Sequence, residues 1–457
     1  MSRMNIHAVK PGTQMCLREN RSEENMAKDT DKSLRQQVIY QIFTRNYRSG
    51  KLKDVERDLD RIRDLGVDII YLLPVQPSGV LHRKGSMGSP YAISDYRAVD
   101  PEIGTMQDFV ELTEAAHRKG LKVMLDVVYN HTSPDSVLAK SHPEWFFHKA
   151  DGSLGNRIGD WWDVVDLDYD SSEALWDYQI ETLKMWAELV DGFRCDVAPL
   201  IPLEFWLEAR AAVKRVRPDC IWLSESVEPE FTLDNRARKM TSLSDSEVFQ
   251  AFDLSYEYDV YHDWVRYLTD EIPLPQYLEK INQQEYLYPE NYVKLRFLEN
   301  HDRPRARFCV PDDMARENWT AFLFFQKGMT LIYNGQETEN IHRPSLFDKD
   351  DIRWDTGHDI SEQIKTLARI KRHPLAAEGS YRVRDGGNGI IIAEYSAEGR
   401  RLIGLFSTRG KPGVVRLNTP DGIYRDLVNG SEVHAESGLV CMEGRPLVFL
   451  IGQETGK

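Results

Sequence analysis

The sequence predicts an α/β fold: a (β/α)8 TIM barrel with a short inserted domain after its third strand and a C-terminal antiparallel β-sandwich. Three observations carry this expectation. From Val38 onward, short apolar and β-branched runs alternate with amphipathic helical patterns, as a parallel sheet with crossover helices requires. Several of the runs release acids where they end, at Asp126, Asp196, Glu225 and Asp302, and a barrel of parallel strands collects its functional groups at those ends. Beyond about Ala377, strand-like runs follow one another with no helix between them.

The first strand is read at Val38–Phe43. Lys53–Leu65 repeats Val55, Leu59, Ile62 and Leu65 at helical spacing, and Gly66 stops it. Val67–Leu73 is the second strand, Phe109–Lys119 the next helix and Leu121–Val128 the third strand. The alternation then breaks over 131–170, rich in Gly, Asp, Pro and aromatic residues, which reads as an insert. A helix at Glu173–Leu189 restores the pattern. Strands follow at Val190–Asp196, Ile221–Glu225, Val248–Leu254, Val293–Glu299 and Thr330–Tyr333, with helices at Leu203–Val216, Asp313–Gln326 and Glu362–Arg372. The domain reading is a polar arm over 1–33, the barrel over 34–376 with its insert at 131–170, and the sandwich over 377–457. Its strands are read at Gly389–Tyr395, Arg401–Phe406, Gly413–Leu417 and Pro446–Ile451.

Composition narrows the function. The 457 residues carry a formal net charge of −15, which disfavours nucleic acid and anionic lipid as partners. There is no apolar run of the length a membrane helix needs, and the start lacks the apolar core of a secretory signal. Cys16, Cys195, Cys220, Cys309 and Cys441 are scattered, with no Cys-x-x-Cys pair. Neither a disulfide framework nor a zinc site is indicated, and reduced thiols in a cytoplasmic setting are expected.

The chemistry sits at the strand ends. In Gly192-Phe-Arg-Cys-Asp196, side chains alternate, so Arg194 and Asp196 share the inward face while Phe193 and Cys195 pack outward. An aspartate beside an arginine stays ionised and can serve as a nucleophile. A structural ion pair is the plainer reading of an isolated Arg-x-Asp. Glu225 follows the mostly apolar Cys220-Ile-Trp-Leu-Ser224. An apolar floor can raise a glutamate's pKa, which suits a general acid; a surface acid at a strand end is the alternative. Asn300-His301-Asp302 adds a third carboxylate, or else a polar turn. Three carboxylates on one rim, with Arg194, His131 and His301 as donors, match the needs of glycosidic cleavage. A hard cation is the rival use of such a cluster.

Taken in order, Asp126-Val-Val-Tyr-Asn-His131, Gly192-Phe-Arg-Cys-Asp196, Leu223-Ser-Glu-Ser226 and Asn300-His-Asp302 resemble the characteristic segments of the α-amylase family of glycoside hydrolases. Tyr40-Gln-Ile-Phe43, Ser89 to Tyr96, Asp100 to Thr105 and Gly335-Gln-Glu337 support the resemblance. It implies a retaining enzyme acting on maltodextrins or starch, with Asp196 as nucleophile, Glu225 as acid/base and Asp302 as transition-state stabiliser. It further implies sugar binding by Tyr91, Asp126, His131, Arg194 and His301. A glucanotransferase, an α-1,6-active glucosidase and a noncatalytic sugar-binding relative share the fold. No cofactor is required. Calcium is a candidate at Asn130, with partners near Asp163 or Asp168, although one such ligand falls short of the six to eight oxygens calcium takes. The chain departs from the family at Pro199 and Leu200, where side chains that help bind the leaving group are absent. Of Trp145, Phe146, Phe147, Trp161 and Trp162 in the insert, most are expected in its core, with one tryptophan free to border the cleft.

Overall fold

A computed structural model describes residues 29–452. Eight parallel strands close into a barrel: β1 Val38–Ile42, β2 Ile69–Leu72, β3 Lys122–Val127, β4 Gly192–Cys195, β5 Ile221–Ser224, β6 Leu254–Tyr256, β7 Val293–Arg296 and β8 Met329–Tyr333. Each pairs with its sequence neighbours, and β8 closes on β1. All five residues of β1 and of β8 are buried, because helices cover the outside and side chains fill the inside. Gly192 lets β4 lie close to β5: a Cβ there would come within 2.7 Å of the Ile221 carbonyl oxygen.

One strand differs from its expected position. Val248–Leu254 reads as a strand, yet Asp245–Val248 is helical and β6 begins at Leu254. Ser244 and Glu247 form a reciprocal capping box that starts a helical turn. Val248, Ala251 and Phe252 are buried as an apolar plug, so the run that resembled a strand is a packed turn. Helices at Pro229–Ala237, Tyr258–Leu268 and Leu274–Leu287 complete the outer ring.

Of the residues read as a polar arm, 1–28 lie outside the described residues. Residues 29–33 are attached rather than loose. Thr30 Oγ1 donates to Asp253 at 2.7 Å, Asp31 caps the turn Lys32–Gln36, and Lys32 reaches Glu290 at 2.7 Å.

After β8 and its helix Ser361–Lys371, the chain forms two four-stranded antiparallel sheets. The first runs in the order β9 Ser380–Asp385, β10 Ile390–Ala397, β11 Arg400–Ser407 and β16 Leu447–Ile451. The second runs β12 Gly413–Arg416, β15 Leu439–Met442, β14 Glu432–Glu436 and β13 Gly422–Arg425. Ile390 and Ile392 face the second sheet in a separate core with Val415, Val440 and Phe449. Ile391, Ala393 and Tyr395 belong to the barrel's core, where Phe325 packs at 5.4 Å from both Tyr395 and Phe406. Burial on both faces explains why the first half of β10, Ile390 to Ala393, is continuously apolar where a half-exposed strand would alternate.

The insert is a ribbon of His131–Thr132 against Val165–Asp166 with a short helix at Val137–Ser141. Trp145 and Phe146 are buried within it. Trp161 faces the cleft described below, and Trp162 is 55% exposed.

Candidate active site

The carboxyl ends of β3, β4 and β5 meet around one guanidinium, and Asp302, past β7, lines the same cleft. β3 and β4 pair in register with Asp126 opposite Arg194, and β4 and β5 with Arg194 opposite Leu223. Arg194 is fully buried. Its Nη1 donates to Asp126 Oδ1 at 2.7 Å and to Asp196 Oδ1 at 2.8 Å. Its Nη2 lies 2.7 Å from Glu225 Oε1, off the N–H direction, so that contact is an ion pair without a formed hydrogen bond. Asp196 and Glu225 are thus held on the two terminal nitrogens of one planar group.

Each acid has a second restraint. The Asp196 N–H donates to Val127 O at 2.9 Å and the Glu225 N–H to Cys195 O at 3.0 Å, extending the ladder one residue past each strand. Glu225 Oε2 accepts from the Val197 N–H at 2.8 Å. Val197 has φ 35°, a left-handed conformation that a β-branched residue rarely adopts. That turn aims its N–H at the glutamate. Asp126 Oδ2 accepts from Tyr71 Oη at 2.6 Å and Tyr91 Oη at 3.1 Å. Asp302 stands at the mouth with 40% of its side chain exposed; its N–H donates to Asn300 Oδ1 at 2.9 Å, which folds the Asn300–Asp302 turn.

The two histidines are set alike. Gln41 Nε2 donates to His301 Nδ1 at 2.9 Å and Asn130 Nδ2 to His131 Nδ1 at 3.2 Å. With Nδ1 accepting, the ring proton sits on Nε2 in each. His301 Nε2 lies 2.6 Å from Tyr91 Oη and 3.1 Å from Asp302 Oδ2. His131 Nε2 lies 3.8 Å from Asp196 Oδ2. Tyr91 and His301 stack with centroids 5.6 Å apart, and Tyr96 Oη fixes the His131 carbonyl at 2.8 Å.

The electrostatics follow from burial. Burial pushes Asp126 up to about 6 and Asp196 well above the carboxylate range, with the Glu225 charge adding to the Asp196 shift and Arg194 opposing both. The expectation that arginine alone keeps Asp196 ionised therefore meets a strong counter-effect. Asp126 and Asp196 therefore keep a proton more readily than isolated acids would.

Burial lowers His131 to about 3, reinforced by the Lys84 charge, and His301 to about 3, reinforced by Arg194. Both are neutral donors at ordinary pH. An unfolded histidine charges near 6.5, so acid favours the unfolded chain; the histidines' contribution is complete above that value and drains as pH falls toward 3. A His301→Gln variant is expected to lose less stability than the parent over this window, read as urea midpoints at about pH 7 and about pH 4.5. An equally steep decline in the variant would contradict the assignment.

The structure brings together every residue singled out for catalysis or sugar binding: Tyr91, Asp126, His131, Arg194, Asp196, Glu225, His301 and Asp302. Sequence reasoning missed Tyr71, Gln41 and the Val197 N–H. The available signal was a polar side chain inside an otherwise apolar barrel strand. At the calcium candidate Asn130, the side-chain Nδ2 donates to His131 Nδ1 at 3.2 Å and the backbone carbonyl accepts from the Leu167 N–H at 3.0 Å. Asp163 is paired with Lys84 at 2.8 Å and Asp168 with Arg157 at 3.4 Å, so the proposed partner acids already have cations from the chain itself. Among the described residues no cluster of His, Cys, Asp and Glu is arranged to hold a metal. Glu337, from the Gly335-Gln-Glu337 turn, is bound by Tyr40 and by Arg61 at 2.7 Å and serves the barrel wall.

A (β/α)8 barrel whose rim holds three carboxylates, two neutral histidines and a shared arginine defines a glycoside-active enzyme. The comparisons make this specific. Residues 28–375 match the model of the alpha-amylase catalytic domain and 382–449 that of the bacterial alpha-amylase C-terminal domain, and the chain belongs to the α-amylase family. The crystal structure of an α-amylase from Lactobacillus plantarum is 45% identical with a TM-score of 0.90, covering 92% of this chain and 100% of that one. A maltogenic α-amylase from Thermotoga neapolitana is 31% identical with a TM-score of 0.82 at the same coverage. An alpha-1,4-glucan:maltose-1-phosphate maltosyltransferase from Bifidobacterium longum is 31% identical over 370 residues, 72% of this chain and 45% of that relative. The chain thus spans about half the length of that curated relative.

Proposed function

We propose that the protein is a retaining α-glucan hydrolase that cleaves α-1,4 bonds of maltodextrins and starch. The observation that carries this reading is Arg194 touching Asp196 at 2.8 Å and Glu225 at 2.7 Å. Sharing one guanidinium keeps the two carboxylates neighbours, which supports attack by a carboxylate; an inverting enzyme needs a wider gap to admit water between acid and sugar.

In the first step the Glu225 carboxyl gives its proton to the glycosidic oxygen as the C1–O bond breaks. Asp196 bonds to C1 through Oδ2, the oxygen that Arg194 leaves free. In the second step the Glu225 carboxylate takes a proton from water, the water oxygen bonds to C1, and Asp196 leaves as carboxylate. The ring between them carries oxocarbenium character, which Asp302 stabilises. Neutral His131 and His301 donate to ring hydroxyls, and Tyr91 offers its face. No metal or organic cofactor enters these steps.

Transfer to a second sugar is the other reading, favoured by the 31% identity to a maltosyltransferase and by the apolar Pro199 and Leu200 beside the nucleophile. A product time course on maltoheptaose, soluble starch and pullulan separates them. Hydrolysis is expected to give only shorter products from maltoheptaose. Products longer than the substrate would move the assignment to transferase, and fast cleavage of pullulan's 1,6 bonds to an α-1,6-active enzyme. A noncatalytic role is disfavoured because all three acids are retained in one cleft.

A further inference from the structure

The cavity into which Asp196, Glu225 and Asp302 open is about 210 Å³, below the roughly 300–1,000 Å³ usual for ligand pockets. Its far wall is made by chain segments outside the catalytic strands. Lys84, from the loop after β2, places Nζ 2.8 Å from Asp163 Oδ1 and 3.1 Å from Asp160 O, both in the insert. The same ammonium lies over Trp162 at 5.4 Å and over Phe347, from the loop after β8, at 5.7 Å. The two loops are tied independently. The Met87 N–H donates to Phe347 O at 2.9 Å, and the Ser86 N–H and hydroxyl donate to Asp348 at 2.8 and 2.7 Å. Gly85 has φ +61°, and a Cβ there would lie 2.6 Å from Phe347 O. The loops approach so closely that only glycine fits.

The position of this wall gives it a meaning. β2 and β8 flank β1, across the barrel from β5, which carries Glu225. The leaving group departs on the side of the acid that protonates it. A wall opposite that acid stands on the donor side, where a longer chain would continue from the non-reducing end of the bound sugar.

From this placement we infer that Lys84, clamped between Asp163 and Phe347, closes the donor end of the cleft, so that the enzyme takes α-glucans by their non-reducing ends and does not cut within the chain. Asp163 is buried, and an ion pair losing one partner leaves a costly unpaired charge, so the strap is expected to stay shut. The inference rests on the glucan reading above.

The test compares maltoheptaose carrying a 4,6-O-ethylidene cap on its non-reducing end with the uncapped sugar, products being resolved by chromatography. The parent is expected to release one short product from the uncapped chain and to turn over the capped chain at least about tenfold more slowly, the scale of a steric pocket's discrimination. Lys84→Ala removes the clamp and Gly85→Ala forces the loops apart without touching it. Each is expected to raise the capped-to-uncapped ratio by about tenfold, and either suffices if the other fails to fold. Equal rates on both substrates in the parent, or an unchanged ratio in both variants, would overturn the inference alone. No turnover of either substrate would overturn the glucan reading itself.

Discussion

Asp196→Asn is expected to lower turnover of maltoheptaose by about 10⁴-fold or more, the scale seen when a covalent nucleophile is removed. The reason is specific to the oxygen lost. Asn keeps the size of the side chain and can still accept from Arg194 through Oδ1, which replaces the 2.8 Å contact now present. The atom facing His131 at 3.8 Å becomes an amide nitrogen, which has no lone pair to form the bond to C1. Structure is therefore expected to survive, seen as an unchanged far-UV circular dichroism spectrum. A second readout isolates the role. With a 2-fluoro glucosyl fluoride, whose leaving group needs little acid help, the parent and Glu225→Gln are expected to accumulate a covalent adduct visible by intact mass. Asp196→Asn is expected to show none. An adduct on the Asn variant, or retained turnover, would sink the assignment.

Arg194→Met is expected to damage both stability and catalysis. The guanidinium is wholly buried and contacts Asp126, Asp196 and Glu225 at 2.7 to 2.8 Å. Removing it strands three carboxylates in the barrel, and breaking a buried ion pair from one side costs about 3–5 kcal/mol. The urea midpoint is expected to fall accordingly. Where the variant folds, the carboxylates lose the main charge that opposes the upward push of burial on Asp126 and Asp196. Protons then stay on the cluster to higher pH, so the acid limb of kcat/KM is expected to move upward. Arg194→Lys keeps the charge but not the planar fork, and is expected to recover part of the stability and little of the rate. A Met variant as stable as the parent, with its acid limb unmoved, would show that Arg194 does not neutralise this cluster.

The fold was legible in the sequence wherever a local period survives folding. Helical spacing at Val55, Leu59 and Ile62 corresponds to the helix Leu52–Asp64, and alternation in Gly192–Asp196 placed Arg194 beside Asp196 on the inward face. The reading failed where a short apolar run has more than one solution. Val248 to Phe252 packs as a turn because the Ser244–Glu247 capping box starts a helix there, and apolar content by itself does not separate a buried turn from a strand. Within the site, the acids were legible because each ends a strand-like run. Tyr71 and Gln41 were not assigned, since a polar residue in an apolar strand signals an inward role without naming its partner.

By itself, then, the sequence determined the alternation of barrel strands with most of their helices, the family, and the carboxylates at the strand ends, all of which depend on patterns a few residues long. Only the tertiary structure decided that one guanidinium serves three of these acids, that the acids near Asn130 are matched by Lys84 and Arg157, and that Lys84 spans from the loop after β2 to the insert across 79 residues of chain to Asp163. These contacts join segments far apart in the chain. Barrel closure alone sets such distances, and local periodicity carries no record of them.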